Sequence, residues 1–362
     1  MESAMRKFVN VDGAYCRKLI PFPHDPHFNP EVAKYDQMSF ADRLAQIEGD
    51  LTPTERSTFE GFLSITSGGT MENSSFFEML RWWALNNYDM HQFMELCLTF
   101  KFRCGQSVFA RHFWDEALAT GNLQYAFTCP VAGVKQTGNK VQVRARDGRT
   151  LEAKRVVCTL PLNVLNTVQF EPPLNTAKKE VSDLGHVNNV VKVHVEADDP
   201  ELRSFSGTVY PHNKLTYIFG DGTTPAGNTH LVAFGNSMNH LQPEEDINNT
   251  IKALKAFTPM NVRRVVFHNW YASSLRSIIQ QTLTMTRFKD EFAKGAWEWL
   301  RPGMATRYLD SLRKRQGHVL FASADWALGW RGFIDGAIED GAKAAMDLKS
   351  ELTSGASASA KL

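Results

Sequence analysis

The chain has 362 residues, 43% of them apolar, and a formal net charge of +1. That length can bury a large core and is enough for two domains, and the apolar content excludes disorder except at the ends. The near-zero charge gives no electrostatic case for nucleic acid or an anionic membrane surface.

The first ten residues, MESAMRKFVN, lack the apolar stretch of a secretory leader, and no run of about 18 apolar residues exists that could span a membrane. Residues 1 to 103 read as mostly helical. Ser39 is placed to cap a helix through Leu44 and Ile47, and Thr52-Pro53-Thr54-Glu55 is a helix start with proline at the first turn. Phe76, Phe77, Trp82, Trp83, Tyr88, Phe93 and Phe100 crowd one segment, a pattern that usually means core. Gly105-Gln106-Ser107 opens a helix through Leu118. Strands over Lys140–Ala145 and Thr150–Val157 flank the turn dipeptide Asp147-Gly148.

From Phe170 to about Trp270 the pattern changes to strands with one helix. Val190 to Val195 alternates, with Lys192 and His194 on the same face, where a lysine is ordinarily exposed. The Gly220-Asp221-Gly222 loop opens no helix after a strand, so it is not a phosphate loop. Val319-Leu320-Phe321-Ala322 reads as a buried strand. A helix then starts near Gly332, with Gly336, Ala337, Gly341 and Ala345 offering a close approach to a neighbour or a flat ligand. Residues 351–362 are Ser/Ala-rich and expected without fixed structure, and Ala360-Lys361-Leu362 is a conservative variant of the Ser-Lys-Leu peroxisomal address. The five cysteines (Cys16, Cys97, Cys104, Cys129, Cys158) show no paired or metal-ligand spacing, so reduced thiols and no metal are expected.

Several longer blocks carry more information than these local patterns. Asn10-Val11-Asp12-Gly13, Leu19 to Asp25, Ser67-Gly68-Gly69-Thr70, Ile218 to Asn228, Lys294-Gly295-Ala296-Trp297 and Val319 to Met346 resemble the flavin-containing amine oxidase family, most nearly its fungal monoamine oxidases. The resemblance implies an α/β, two-domain flavin amine oxidase fold. It divides the chain into a helical part of the substrate domain (1–103), an FAD-domain segment (104–162), a mixed-sheet α+β substrate-domain segment (163–270) and a C-terminal FAD-domain segment (288–350). It also implies the chemistry: a hydride equivalent passes from the carbon beside an amine nitrogen to FAD, dioxygen returns the flavin with release of hydrogen peroxide, and water hydrolyses the imine. The cofactor carries the difficult step, which explains why no Ser/His/Asp triad or carboxylate pair is needed.

By the same resemblance, Lys192 holds a water against the flavin, and Trp297 and Phe333 form the aromatic cage that selects a slim primary amine. Animal relatives usually carry tyrosines at the two cage positions. Ala296 stands where those relatives carry the flavin-linking cysteine, so FAD is expected to bind non-covalently. Val131 falls in the segment meeting the adenine end, Asp325 near the flavin, and Trp330, Gly332 and Ile334 along the ring. Implied partners are a small amine and dioxygen, with the peroxisomal import receptor reading the last three residues; a homodimer is compatible with the family. Peroxisome, with cytoplasm as the alternative, is the expected location.

Two departures stand out. The family's G-x-G-x-x-G turn, which holds the FAD pyrophosphate at a helix N-terminus, does not occur, so an N-terminally truncated Rossmann-like FAD domain that folds poorly alone and binds FAD weakly or not at all is expected. Residues 271–287 interrupt the pattern between Trp270 and Lys289. Codons for Trp270-Tyr271 and Arg287 can carry in-frame splice signals, which makes a retained intron the preferred reading over a surface loop. Two alternatives stay open: a polyamine or amino-acid oxidase of the same fold, which would want a charged anchor near the cage (Arg301 and Asp325 are the nearby candidates), and a catalytically inactive, truncated relative.

Overall fold

The computed structural model describes residues 1–25, 27–236, 238, 240–270 and 291–359. The interruption at 271–287 and the address at 360–362 lie outside them. The helical first part comprises α1 (Glu2–Val9), α2 (Val32–Asp36), α3 (Phe40–Gln46), α4 (Pro53–Ser67), α5 (Phe76–Leu85) and α6 (Met90–Met94), followed by a π-helical turn at Glu95–Thr99. Both expected caps form as reciprocal capping boxes. The Asp42 amide donates to Ser39 Oγ while the Ser39 amide donates to the Asp42 carboxylate, and Thr52 and Glu55 do the same for α4, where Pro53 occupies a position with no partner for an N–H to lose. Gly68 ends α4 in the left-handed region at φ 65°, which glycine alone adopts without a Cβ penalty.

Helix α7 (Gln106–Ala119) follows as expected, yet none of its residues is buried. Next come β1 (Val131–Thr137), β2 (Lys140–Ala145), β3 (Thr150–Ala153) and β4 (Val156–Cys158). The long strand expected at Thr150–Val157 is broken between Ala153 and Val156. Its first half pairs antiparallel with β2, and its second half leaves the hairpin to pair in parallel with β11 (Val319–Phe321). A turn signal marks the hairpin, but only a distant apolar strand decides where the second half goes. With β5 (Gln169–Glu171), which lies parallel to β1, the first sheet runs β3-β2-β1-β5.

Between Phe170 and Trp270 there are two helices rather than the single one expected, α9 (Thr176–Leu184) and α10 (Ile247–Lys255), after a short α8 (Leu162–Leu165). An antiparallel sheet of β6 (Val191–Ala197), β7 (Ser206–Thr208), β8 (Tyr217–Thr223), β9 (Thr229–Gly235) and β10 (Val262–Asn269) has the order β10-β6-β9-β8-β7. One face is a dry core of Val191, Val193, Val195, Ile218, Leu231 and Ala233 against Ala253 and Leu254 of α10. The period of two therefore turns Lys192, His194 and Glu196 to the opposite face.

Helix α11 (Met304–Arg313) packs on α9 and α2, and α12 (Ile334–Ser359) closes the chain. It begins two residues later than Gly332, because Gly332 is held at φ 83°, and it continues to Ser359 through residues expected without structure. The small residues along it do different jobs. A Cβ on Gly336 would lie 2.3 Å from the Trp330 carbonyl oxygen, whereas one on Gly341 would meet nothing within 4 Å. Of the two glycines only Gly336 needs to lack a Cβ, while further along the helix Ala344 packs on Leu320 and Ala322.

Candidate flavin and amine site

Lys192 sits on the outward face of β6, where burial, then the Lys101 charge, lowers its pKa. Its register partner on β9 is Phe234, and Lys192 Nζ lies 5.4 Å from the Phe234 ring centroid. Phe234 in turn meets Trp297 edge-on, with centroids 6.3 Å apart and planes at 79°. Trp297 is pinned from behind. Its indole N–H donates to the Thr66 carbonyl at 2.8 Å, at the end of α4, and the Ala296 amide donates to the Asn188 carbonyl at 3.1 Å. Gly295 is required there, since a Cβ would stand 2.4 Å from His186 Cε1. Three distant segments thus bring Lys192, Phe234 and Trp297 together.

Phe333 belongs to a neighbouring aromatic set. Its ring lies 5.2 Å from Trp330, perpendicular to it, and 4.6 Å from Trp82 of α5, and Trp82 also touches Trp299 at 4.9 Å. Trp297 and Phe333 are both partly buried against the main core, and Trp82 and Trp299 bridge the strands of chain that carry them. Gly332 precedes Phe333 in the left-handed region, and a Cβ there would come 2.9 Å from the Glu298 carbonyl oxygen. Ile334 is 42% exposed at the first position of α12.

Other expected site residues have structural attachments. Asp325 is buried, and its Oδ2 accepts from the Leu162 amide at 2.7 Å, stapling the turn after β4 to the turn after β11; burial pushes its carboxyl up to about 6. Val131 opens β1 and packs against the main core. Arg301, a candidate anchor for a charged substrate, spends its Nε–H on the Leu184 and Gly185 carbonyls.

A feature that sequence reading missed supports the loop carrying Trp330, Gly332 and Phe333. Glu78, Arg81, Glu298 and Arg331 are wholly buried together. Glu78 accepts from Arg81 at 2.8 Å and from Arg331 at 2.5 Å, and Arg331 Nε lies 3.5 Å from Glu298. Arg81 also donates to the Gly329 carbonyl, and Arg331 to the Ala327 carbonyl at 3.2 Å. Burial pushes Glu78 up, but the two guanidiniums overcome it and hold the carboxyl below its usual range. Glu298, penalised by burial and by Glu78, is driven well above. The signal was available only in part: Glu78 and Arg81 stand three apart on an otherwise aromatic helix. Phe234 and Trp82 were also missed as site neighbours, the first because strand pairing is long-range.

A family model described as flavin containing amine oxidoreductase matches residues 3–349. The chain belongs to the flavin-containing amine oxidase family. Among curated relatives, a pseudooxynicotine dehydrogenase from Pseudomonas sp. is 29% identical over 356 residues, covering 94% of this chain and 66% of its own length. Canine amine oxidase [flavin-containing] B is 26% identical over 232 residues, 60% of this chain and 42% of its own. This chain therefore spans less than two thirds of these relatives. Solved structures of the same fold include a putrescine oxidase triple mutant (TM-score 0.73, 19% identity, 93% of this chain and 75% of that one) and cyclohexylamine oxidase from Brevibacterium oxydans IH-35A (TM-score 0.70, 18% identity, 96% and 75%). Membership implies a flavin cofactor. No helix among the described residues is long and apolar enough to cross a membrane.

Proposed function

We propose that this flavin amine oxidase family member, as in the fungal monoamine oxidases, oxidises a small primary amine with non-covalent FAD, giving an aldehyde, ammonia and hydrogen peroxide. The observation that carries the reading is the convergence of Lys192, Phe234 and Trp297 on one partly buried face. The residues present suit the ring end of FAD. An ammonium and half-buried aromatic rings adjoin a loop whose Gly332 leaves no room for a Cβ, and the methyl of Ala296 offers no thiol for a covalent link. Lys192, Trp330, Gly332, Phe333 and Ile334 would hold that end. When bound, FAD supplies the hydride acceptor and its reoxidation by dioxygen.

The chain's own contribution is orientation and exclusion of water. Trp297 and Phe333 flank a slim amine, and the lowered pKa of Lys192 makes its ammonium a ready donor to a bound water. The test is the absorbance spectrum of the purified chain with and without added FAD, then peroxide release from a simple alkylamine. A shifted flavin spectrum with peroxide supports the reading; peroxide release unchanged in Trp297→Ala and Phe333→Ala overturns the assigned cage.

A second reading, that this chain does not retain FAD by itself, is favoured by the absence of G-x-G-x-x-G and by α7 burying none of its residues. It predicts a colourless, inactive sample even with FAD added. We extend the first reading to peroxisomal location through Ala360-Lys361-Leu362, which deletion of these three residues from a fluorescent fusion tests by loss of punctate signal.

A further inference from the structure

Lys192 shares its sheet face with a hydrogen-bonded chain that the reaction described above does not use. His194 Nδ1 lies 3.0 Å from His230 Nε2, with the two rings stacked at 3°, and His230 Nδ1 lies 3.1 Å from Asp221 Oδ2. Asp221 is also paired with Lys101, whose Nζ stands 5.7 Å from the Phe219 ring centroid. The segment holding Lys101 thereby lies over this face of the sheet.

The chain has a direction. An ionised Asp221 only accepts, so His230 Nδ1 carries the proton and donates. Neutral His230 then accepts at Nε2, which obliges His194 to donate from Nδ1. The lone pair left over is on His194 Nε2. Burial, then the Lys192 charge, then His230, pushes His194 down to about 4, and burial with Lys101 and Lys192 lowers His230, so both rings are neutral near pH 7. Facing groups on the neighbouring elements are Lys192 and Glu196 on the same strand, Arg264 and His268 across on β10, Asp221 on β8 and Lys101 above. No group of three or more His, Cys, Asp or Glu placed to hold a metal ion occurs among the described residues.

We propose that His194 Nε2 is a specificity-determining acceptor that selects amines carrying a neutral hydroxyl remote from the reacting carbon. The proposal rests on the amine oxidase reading above. His194 lies two strand steps from Lys192, about 6.6 Å along β6. A hydroxyl at that reach meets an acceptor in a site otherwise lined by Phe219, Phe234 and Trp297. A second ammonium is disfavoured, because Lys192 and Lys101 hold positive charge on the same face.

The test is binding, read by histidine-ring NMR of the full chain with FAD added, using 4-(2-aminoethyl)phenol and 2-phenylethylamine as probes. The phenol should bind about fivefold tighter, the equivalent of one net hydrogen bond of about 1 kcal/mol, and should shift the His194 ring resonances. In His194→Phe the ratio should fall to about one with 2-phenylethylamine affinity retained; His194→Gln, which keeps an acceptor, should recover part of it. Equal affinities in the wild type, or a ratio that survives His194→Phe, overturns the proposal while leaving the amine oxidase reading intact. Failure of both probes to bind overturns both readings.

Discussion

His186 shows how burial converts a titratable side chain into a pH sensor of stability. It is wholly enclosed behind Gly295, and burial, then the Arg301 charge, lowers its pKa to about 3. Its Nδ1 accepts from the Asn188 amide at 3.2 Å, so the folded chain wants the ring neutral. Unfolded, the ring takes a proton below about 6.5. Stability from this group is therefore full above that pH and is lost as pH falls towards about 3, by up to about 1.4 kcal/mol per unit. Asp325 acts in the opposite sense: its raised pKa means that the folded carboxyl gains a proton before the unfolded one. Comparing melting temperatures of the wild type and His186→Asn from pH 7 to 4 isolates the histidine. The variant should be less stable at pH 7 and should show a shallower decline, and parallel curves would mean that His186 does not titrate on unfolding. Lys192 illustrates the same scale from the sequence side. Alternation alone placed it on one face with His194, but only the pairing of β6 with β9 set Phe234 beside it.

Among the elements, the turn between β11 and α12 concentrates the constraints. Gly336→Ala places a methyl against the Trp330 carbonyl and should cost about 1–3 kcal/mol, as overpacked positions do. Gly341→Ala, with open space around it, should instead stabilise α12 by about 0.5–1 kcal/mol. Urea midpoints of the two variants should move in opposite directions; equal shifts would show that the contact at Gly336 is not tight. The buried ionic cluster gives a larger effect. Arg331→Met leaves Glu78 with one partner and Glu298 with none, and should cost about 3–5 kcal/mol by chemical denaturation. Capping boxes at Ser39 and Thr52 needed no such distant partner. Each is closed within three residues, which is why both were readable from the sequence.

For the whole molecule, α7 is the outlier. Phe102 and Phe109 stack at 4.3 Å, Phe109 meets Phe113 at 5.2 Å, and Trp114 packs with Tyr125 and Phe127, yet Phe102, Phe113, Tyr125 and Phe127 stay exposed. An apolar surface of this kind promotes association. Phe109→Ser with Phe113→Ser should reduce light scattering of the purified chain and leave the urea midpoint within about 0.5 kcal/mol, since neither ring supports the core. A large loss of stability would mean that α7 contributes to folding as it stands.

Local chemistry is what the sequence determined by itself: the caps of α3 and α4, the hairpin at Asp147-Gly148, the two-residue period of β6 and the blocks that mark a flavin amine oxidase. These depend on residues a few positions apart, whose steric and hydrogen-bonding preferences act within one turn or one strand. Tertiary structure alone decided that the expected strand after Asp147-Gly148 divides between two sheets, that α9 interrupts the stretch read as strands with one helix, and that Glu78 finds Arg331 across 253 positions of chain. It also decided that Lys192, Phe234 and Trp297 converge. Burial of apolar surface is non-directional, so it specifies that such segments pack; which partners meet is settled only when the competing faces are closed together.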